Sequence, residues 1–412
     1  MTRRRRGAVQ VWVVLCSAVL VGLAAFNLDG GRVMDGRRAA QATADAAALA
    51  AGAKLYAGFW TDRGGPESQR EARKAALAVA AANRFPESAV TVNMPPAAGA
   101  FAGQPGHAEV VVRTRVEGAF SRVFTGEPLP VSARSVGRGK PLDIGVHALR
   151  PHGAGTFTNN AAAFVMVNKP IIVNSDDPAA YRQTSLLSLN VGRIDVTGGL
   201  SNLGLISINT RVRTKVRPTL DPLAFLPVPD AAAAPVRSSA PLVLNGLVAT
   251  LQPGVYRGGV RVTGLTTVVM APGVYVMEGG GFVVDGAATV TGLGVMIYNT
   301  TGAGFAPGPV RVSGLGKVVL TAPLAGPYQG INVFQNRELT EPVEITGVGL
   351  TVITGTVYAA RAPVTLTGLA AVGLDILGGA FVADTVTVQG AGAVTVDLKL
   401  NPPRVPDVRV VE

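Results

Sequence analysis

Cysteine, histidine and aromatic residues are scarce in this chain, and each scarcity excludes something. The single cysteine, Cys16, lies inside an apolar run, so no disulfide can tie the remaining residues together and their stability must come from packing. The three histidines, His107, His147 and His152, form no metal-ligand pattern with cysteine or carboxylate; His147 and His152 stand five residues apart, the wrong spacing for one helix face. Phosphate-loop, G-x-S-x-G and H-E-x-x-H sequences are missing. Aromatics make up 5% of residues and do not interleave with the basic ones, so the net charge of +11 does not read as a nucleic-acid surface. No metal and no cofactor are expected.

What the chain does have begins at its first residues. Arg3, Arg4, Arg5 and Arg6 precede an uncharged stretch from Ala8 to Leu28. A helix needs about 20 apolar residues to cross the hydrocarbon core of a bilayer, so residues 8–28 are expected to be a transmembrane helix. A cleaved signal peptide starts similarly, but its apolar region is shorter and ends at a small-x-small site; this run ends in Ala25-Phe26-Asn27. The four arginines act as the topology signal and touch anionic lipid heads. They predict a cytoplasmic N-terminus (1–7), a single crossing and an extracytoplasmic remainder.

Past the span, Ala39, Ala42, Ala46, Leu49, Ala53 and Tyr56 share a three-four spacing, which puts a stripe of small residues on one helix face for packing. Asp62-Arg-Gly-Gly-Pro66 breaks the chain, and residues 67–84 read as a second helix with Ala72, Ala76, Val79 and Asn83 on one side. The period then changes to two. Strands are expected around Val90-Thr-Val92, Val110–Val116, Phe120–Phe124 and Val131–Val136, completing a small α+β domain over 29–140.

These residues carry a resemblance. Asp29-Gly-Gly31-Arg32, Gln41 with Asp45-Ala-Ala-Ala-Leu49, Asn93-Met-Pro95-Pro96, and Val-Ser-Ala-Arg134 are similar to the N-terminal region of TadG-like proteins of the tight-adherence (Flp) pilus assembly system. Asp29, Gly31, Arg32, Gln41 and Asp45 are the family motif. Processed pilins carry a glutamate five residues after the cut glycine; here Gly7 is followed at that distance by Trp12, so the resemblance implies a permanent anchor.

The second half repeats. Leu244-Asn-Gly246, Val262-Thr-Gly264, Val290-Thr-Gly292, Val312-Ser-Gly314, Ile345-Thr-Gly347 and Leu366-Thr-Gly368 follow at intervals of 18, 28, 22, 33 and 21 residues, and Pro253-Gly-Val-Tyr256 recurs as Pro272-Gly-Val-Tyr275. Valine-rich strands near this spacing, with glycine at each corner, predict a right-handed parallel β-helix (solenoid) over 141–412, its longer intervals holding loops inserted on one face. An antiparallel sandwich is the rival fold. A proline- and alanine-rich insertion near 215–240 should cross the surface as an extended loop. Segments such as Gly292-Leu-Gly-Val-Met-Ile-Tyr298 resemble pectin-lyase-like β-helix regions that follow TadG-like anchors.

Enzymes that cut acidic polysaccharide on such a scaffold need carboxylates stacked on neighbouring coils. Asp375, Asp384 and Asp397 fall near one coil spacing, Asp285 stands alone, and Asp176-Asp177 is a turn signal first. The expectation is a non-catalytic, membrane-anchored structural component of pilus assembly or surface adhesion, with the lipid bilayer and pilus-assembly or envelope proteins as partners. The alternatives are a tethered polysaccharide lyase or hydrolase, for which a glycan partner is possible but unsupported, and an adhesin binding through solenoid loops.

Overall fold

In the computed structural model the chain divides into two compact units: residues 1–142 with 406–412, and residues 143–405. The structure describes residues 6–118, 127–143, 145–161, 165–184, 189–202, 211–302, 304–347, 351–368, 375–391, 394–396 and 403–412. Arg3, Arg4, Arg5, the Phe120–Phe124 strand expected from sequence, and Asp397 lie outside these.

The first unit opens with one uninterrupted helix, α1 (Arg6–Asp62), which runs through Asp29-Gly-Gly31 without a break. At 1.5 Å per residue it is about 85 Å long, enough for a membrane-spanning length and a further stretch beyond it. Its apolar window is long enough to cross a membrane and none of it is buried. A turn with Arg63 and Gly64 at positive φ leads to α2 (Pro66–Ala82). Gly65 at the N-cap offers no side chain; Asp62 accepts the Ser68 amide at 2.9 Å instead, satisfying a free helix-end donor.

Strands β1 (Val90–Asn93), β2 (His107–Val116) and β3 (Leu129–Pro141) form an antiparallel sheet in sequence order, and the C-terminal strand Pro406–Val410 pairs with β3 on its free edge. The last residues, expected in the solenoid, therefore complete the sheet of the first unit, and the whole second unit is inserted between β3 and its neighbour.

The face that α1 presents to this sheet differs from the expected one. Ala40, Ala44, Ala47, Ala48, Ala51 and Leu55 are buried, whereas Ala39, Ala42, Ala46, Leu49 and Ala53 are exposed. Alanine occupies both faces of this helix, so spacing alone selects neither. On α2 the expected Ala72 and Ala76 are buried, joined by Ser68 and Ala80, while Asn83 is exposed.

The second unit is a parallel β-solenoid of about ten turns, and the antiparallel sandwich is excluded because, among the described residues, all pairings between its strands are parallel. Three sheets run along it. On the first, residues Val255, Val276, Tyr298, Phe334, Tyr358, Val382 and His147 stand in one row from coil to coil. The second carries Arg261, Val283, Arg311, Glu344, Thr365 and Thr387, and the third carries Val269, Thr291, Val319 and Val352. Inward positions such as Val262, Phe282, Ile297, Val333, Val357 and Phe381 fill one continuous core.

The coils do not stack in chain order. The coil beginning at Val146 sits on the one ending the solenoid, with Val382 opposite His147 and Val388 opposite Asn159. From there the chain winds outward to the strand Val212–Thr214, then residues 215–235 travel the length of the stack to the strand Val236–Ser238, and winding resumes toward the middle. Entry and exit are neighbours as a result, which suits an insertion into a sheet.

One repeat falls at a different corner from the rest. Gly246, Gly264, Gly286 and Gly314 approach one another in a column between the second and third sheets, whereas Gly292 lies in the third sheet, opposite Met270 and Leu320. Asp285-Gly286 takes the place expected for Thr291-Gly292. Gly246, Gly264 and Gly286 have φ of 68°, 68° and 69°, the left-handed turn that glycine makes without a Cβ clash.

Candidate functional sites: the anchored helix and the strapped solenoid face

The first site is the contact between α1 and β3. Gly137 and Gly139 alternate along β3 on the face turned to the helix; a Cβ at Gly137 would collide with the Ala48 carbonyl and one at Gly139 with the Gly52 carbonyl. A Cβ at Gly52 would lie 2.7 Å from the Arg138 carbonyl oxygen. Backbone rests on backbone here, which only small residues on both elements permit. Gln41 fixes the register by donating to Asp45 Oδ1 at 2.8 Å and to the Arg134 carbonyl at 3.2 Å. Two of the five motif residues thus act together as a helix-to-sheet clasp. Asp29 is buried, whereas Gly31 and Arg32 are exposed on α1.

Beside the clasp, Glu109 is 2% exposed and fully partnered. It accepts from Asn93 Nδ2 at 2.7 Å, from the Ala97 amide at 3.1 Å and from Arg134, which also pairs with Glu412 at 3.1 Å. Burial alone would raise its pKa; the Asn93 amide, the Arg134 guanidinium and the Ala97 N–H outweigh burial and hold it below the ordinary value. The carboxylate joins the Pro95-Pro96 loop, β2, β3 and the C-terminus.

The second site is the first sheet of the solenoid. Strands there normally alternate core and solvent, yet Val276, Tyr298, Phe334, Tyr358, Val382 and His147 are all at most 2% exposed although they are outside the core row. Residues 215–235 cross this sheet as a strap over His147 and Tyr358, and Tyr328 of a separate inserted segment packs on Phe334. The strap's own Leu223, Leu226 and Pro229 are buried. Asn174 holds Thr219 by two backbone bonds, donating to its carbonyl at 2.7 Å and accepting from its amide at 3.0 Å. Tyr358 donates to Asp221 at 2.6 Å. Arg337 is the central clamp: it donates to the Leu223 and Leu226 carbonyls at 3.0 and 2.9 Å and to the Tyr358 hydroxyl at 2.9 Å, and its guanidinium sits 5.3 Å from the Phe334 ring centroid. The surface-crossing loop expected from composition is therefore an ordered cover.

His147 lies under the strap, its Nε2 3.2 Å from Thr219 Oγ1. Burial lowers its pKa to about 4, against the opposing pull of the Asn174 bond and the Asp221 charge. Inserted segments 301–309 and 336–342 leave the corner between the first and second sheets, and 322–330 the corner between the third and first. They flank the same strapped sheet from two corners, where a single face was expected.

Among the described residues the candidate acids form no shared cluster. Asp285 pairs with Arg261 at 2.6 Å, Asp384 with Arg150, and Asp176 with His152 at 2.9 Å; Asp177 caps the Ala179 amide at 2.7 Å. Asp375 begins the strand Asp375–Gly378. Among the described residues no cluster of three or more His, Cys, Asp or Glu could hold a metal ion. Sequence reasoning missed Arg337, Asn174 and Asp221, because their partners lie 20 to more than 100 positions away and no local pattern marks them.

Residues 7–54 match the family model of putative Flp pilus-assembly TadE/G-like proteins. None of the curated proteins and none of the solved structures matches the chain.

Proposed function

We propose that the chain is a permanently anchored, non-catalytic component of a tight-adherence-type pilus assembly or of surface adhesion, its N-terminus cytoplasmic and both units outside. The carrying observation is that the TadE/G-like match, the apolar span and the Gln41–Asp45 clasp all lie on α1. One continuous helix carries both the apolar span and the face packed on the sheet, which suits a fixed scaffold. Basic residues before the span and none within it support the orientation. The pairing of Asp285 with Arg261 and of Asp384 with Arg150, and the contact of Asp176 with His152, support a structural rather than hydrolytic solenoid. Envelope proteins of the assembly are the partners this reading implies.

The test compares cells lacking the protein, complemented with the full chain or with residues 1–142 joined by a short linker to 406–412, which keeps the sheet intact. Loss of pili and attachment restored by the full chain alone is expected. Normal piliation without the protein would overturn the reading. Labelling of a cysteine placed at exposed Glu67 by a membrane-impermeant reagent in intact spheroplasts checks the orientation.

A further inference from the structure

The strap has a second face. Leu223, Leu226 and Pro229 turn inward, whereas Leu220, Phe225 and Val228 are 92%, 57% and 54% exposed. Large apolar side chains held outward on an ordered, clamped segment are not explained by the solenoid core, of which they are not members. Immediately before them comes Arg211-Val-Arg-Thr-Lys215-Val-Arg217 at the end of the stack. Arg213 stacks on Asp195, which also binds Arg193, with contacts of 2.6 to 2.8 Å. Arg211, Lys215 and Arg217 are exposed on the same segment, so three further cations flank in sequence the Arg213 that shares Asp195 with Arg193. Of the other acids along the strap, Asp221 is taken by Tyr358, and Asp230 lies exposed beyond Val228.

We propose that this outer strap face docks on the surface of an anionic phospholipid bilayer, the cations of 211–217 meeting headgroup phosphates and Leu220, Phe225 and Val228 entering the acyl boundary. Cations beside protruding aliphatic and aromatic groups are the chemistry of interfacial binding, and neither group alone would select a bilayer over a soluble polyanion or a protein. An apolar helix in the same chain supplies a reason for a membrane to be near. The inference rests on the anchoring proposed above.

The experiment uses the full chain with Cys16→Ser and Ala224→Cys, a bimane at position 224, reconstituted in nanodiscs of zwitterionic or anionic phospholipid, with and without nitroxide-labelled lipid. Incorporation into discs reports the anchor separately from docking. At least a twofold nitroxide quenching in anionic discs is expected, falling in 1 M salt and lost in the exposed triple variant Arg211→Glu, Lys215→Glu, Arg217→Glu and in Leu220→Ser with Phe225→Ser. The salt response of the otherwise unaltered chain needs no charge variant. Equal emission in detergent and both disc types would overturn the proposal. So would a full response to dextran sulfate in detergent, which would make the site a polyanion reader.

Discussion

The two units bury their surfaces in opposite ways. In the first, α1 meets β3 through Ala44, Ala48 and Gly52 against Gly137 and Gly139, so cohesion comes from how closely two backbones approach. In the second, Tyr298, Phe334 and Tyr358 carry large rings outside the core row, and segments added to the coils, the strap among them, pack on that face. A contact built from the smallest residues has no side chain that can move aside. One built from rings and a strap can lose its cover and keep its coils. The comparison therefore predicts local, unequal responses to substitution.

The largest effect should come from Gly139→Val. The branched side chain has no room against the Gly52 carbonyl, and a loss of about 4 kcal/mol in the first unit is expected, with solenoid hydrogen exchange unchanged. Co-unfolding of both units would break the comparison. Next, Arg337→Ala removes the bonds to Leu223, Leu226 and Tyr358, leaving carbonyls without their clamp. A local loss of about 3 kcal/mol, read as faster exchange over 219–228 alone, is expected.

Acid should loosen the same strap. His147 is neutral when folded because its pKa is lowered to about 4 from 6.5, so below pH 6.5 the unfolded segment binds more protons than the folded one. Stability is whole above that value and declines by about 3 kcal/mol as pH falls from 6.5 to 4. Strap exchange measured against pH should show this decline, and His147→Gln should flatten it. In the first unit Glu109 responds at lower pH: its folded pKa is depressed, so its contribution is present above the unfolded value and disappears as pH falls through the folded one. Glu109→Gln should cost about 2 kcal/mol and remove that acid step from thermal melts. The smallest effect belongs to Leu265→Ser: this corner leucine is 81% exposed, and a change within about 0.5 kcal/mol is expected in melting experiments.

Much of the architecture was legible because it is periodic. The apolar run, the change of period after Ala89 and the valine-glycine repeats report helix, sheet and solenoid directly. The packing face of α1 was not legible: Ala39, Ala42 and Ala46 match the helical period as well as Ala40, Ala44 and Ala47, and volume does not separate identical residues. Val290-Thr-Gly292 was assigned to the corner column by its letters, although Asp285-Gly286 fills that place, because the turn requires a glycine and not the residues before it. In the candidate site Gln41 and Asp45 were found as a motif, and their clasp on Arg134 required the fold.

By itself the sequence determined which segments are apolar enough for a bilayer, which alternate as strands and where glycine permits a turn, since hydrophobicity, side-chain period and backbone freedom are local properties. The tertiary structure alone decided the permuted stacking, the return of Pro406–Val410 to the first sheet and the strap over Tyr358 and His147. Those depend on which distant surfaces meet, and valine strands of equal period stack on one another in any order until chain connection, corner geometry and a few buried polar partners select one.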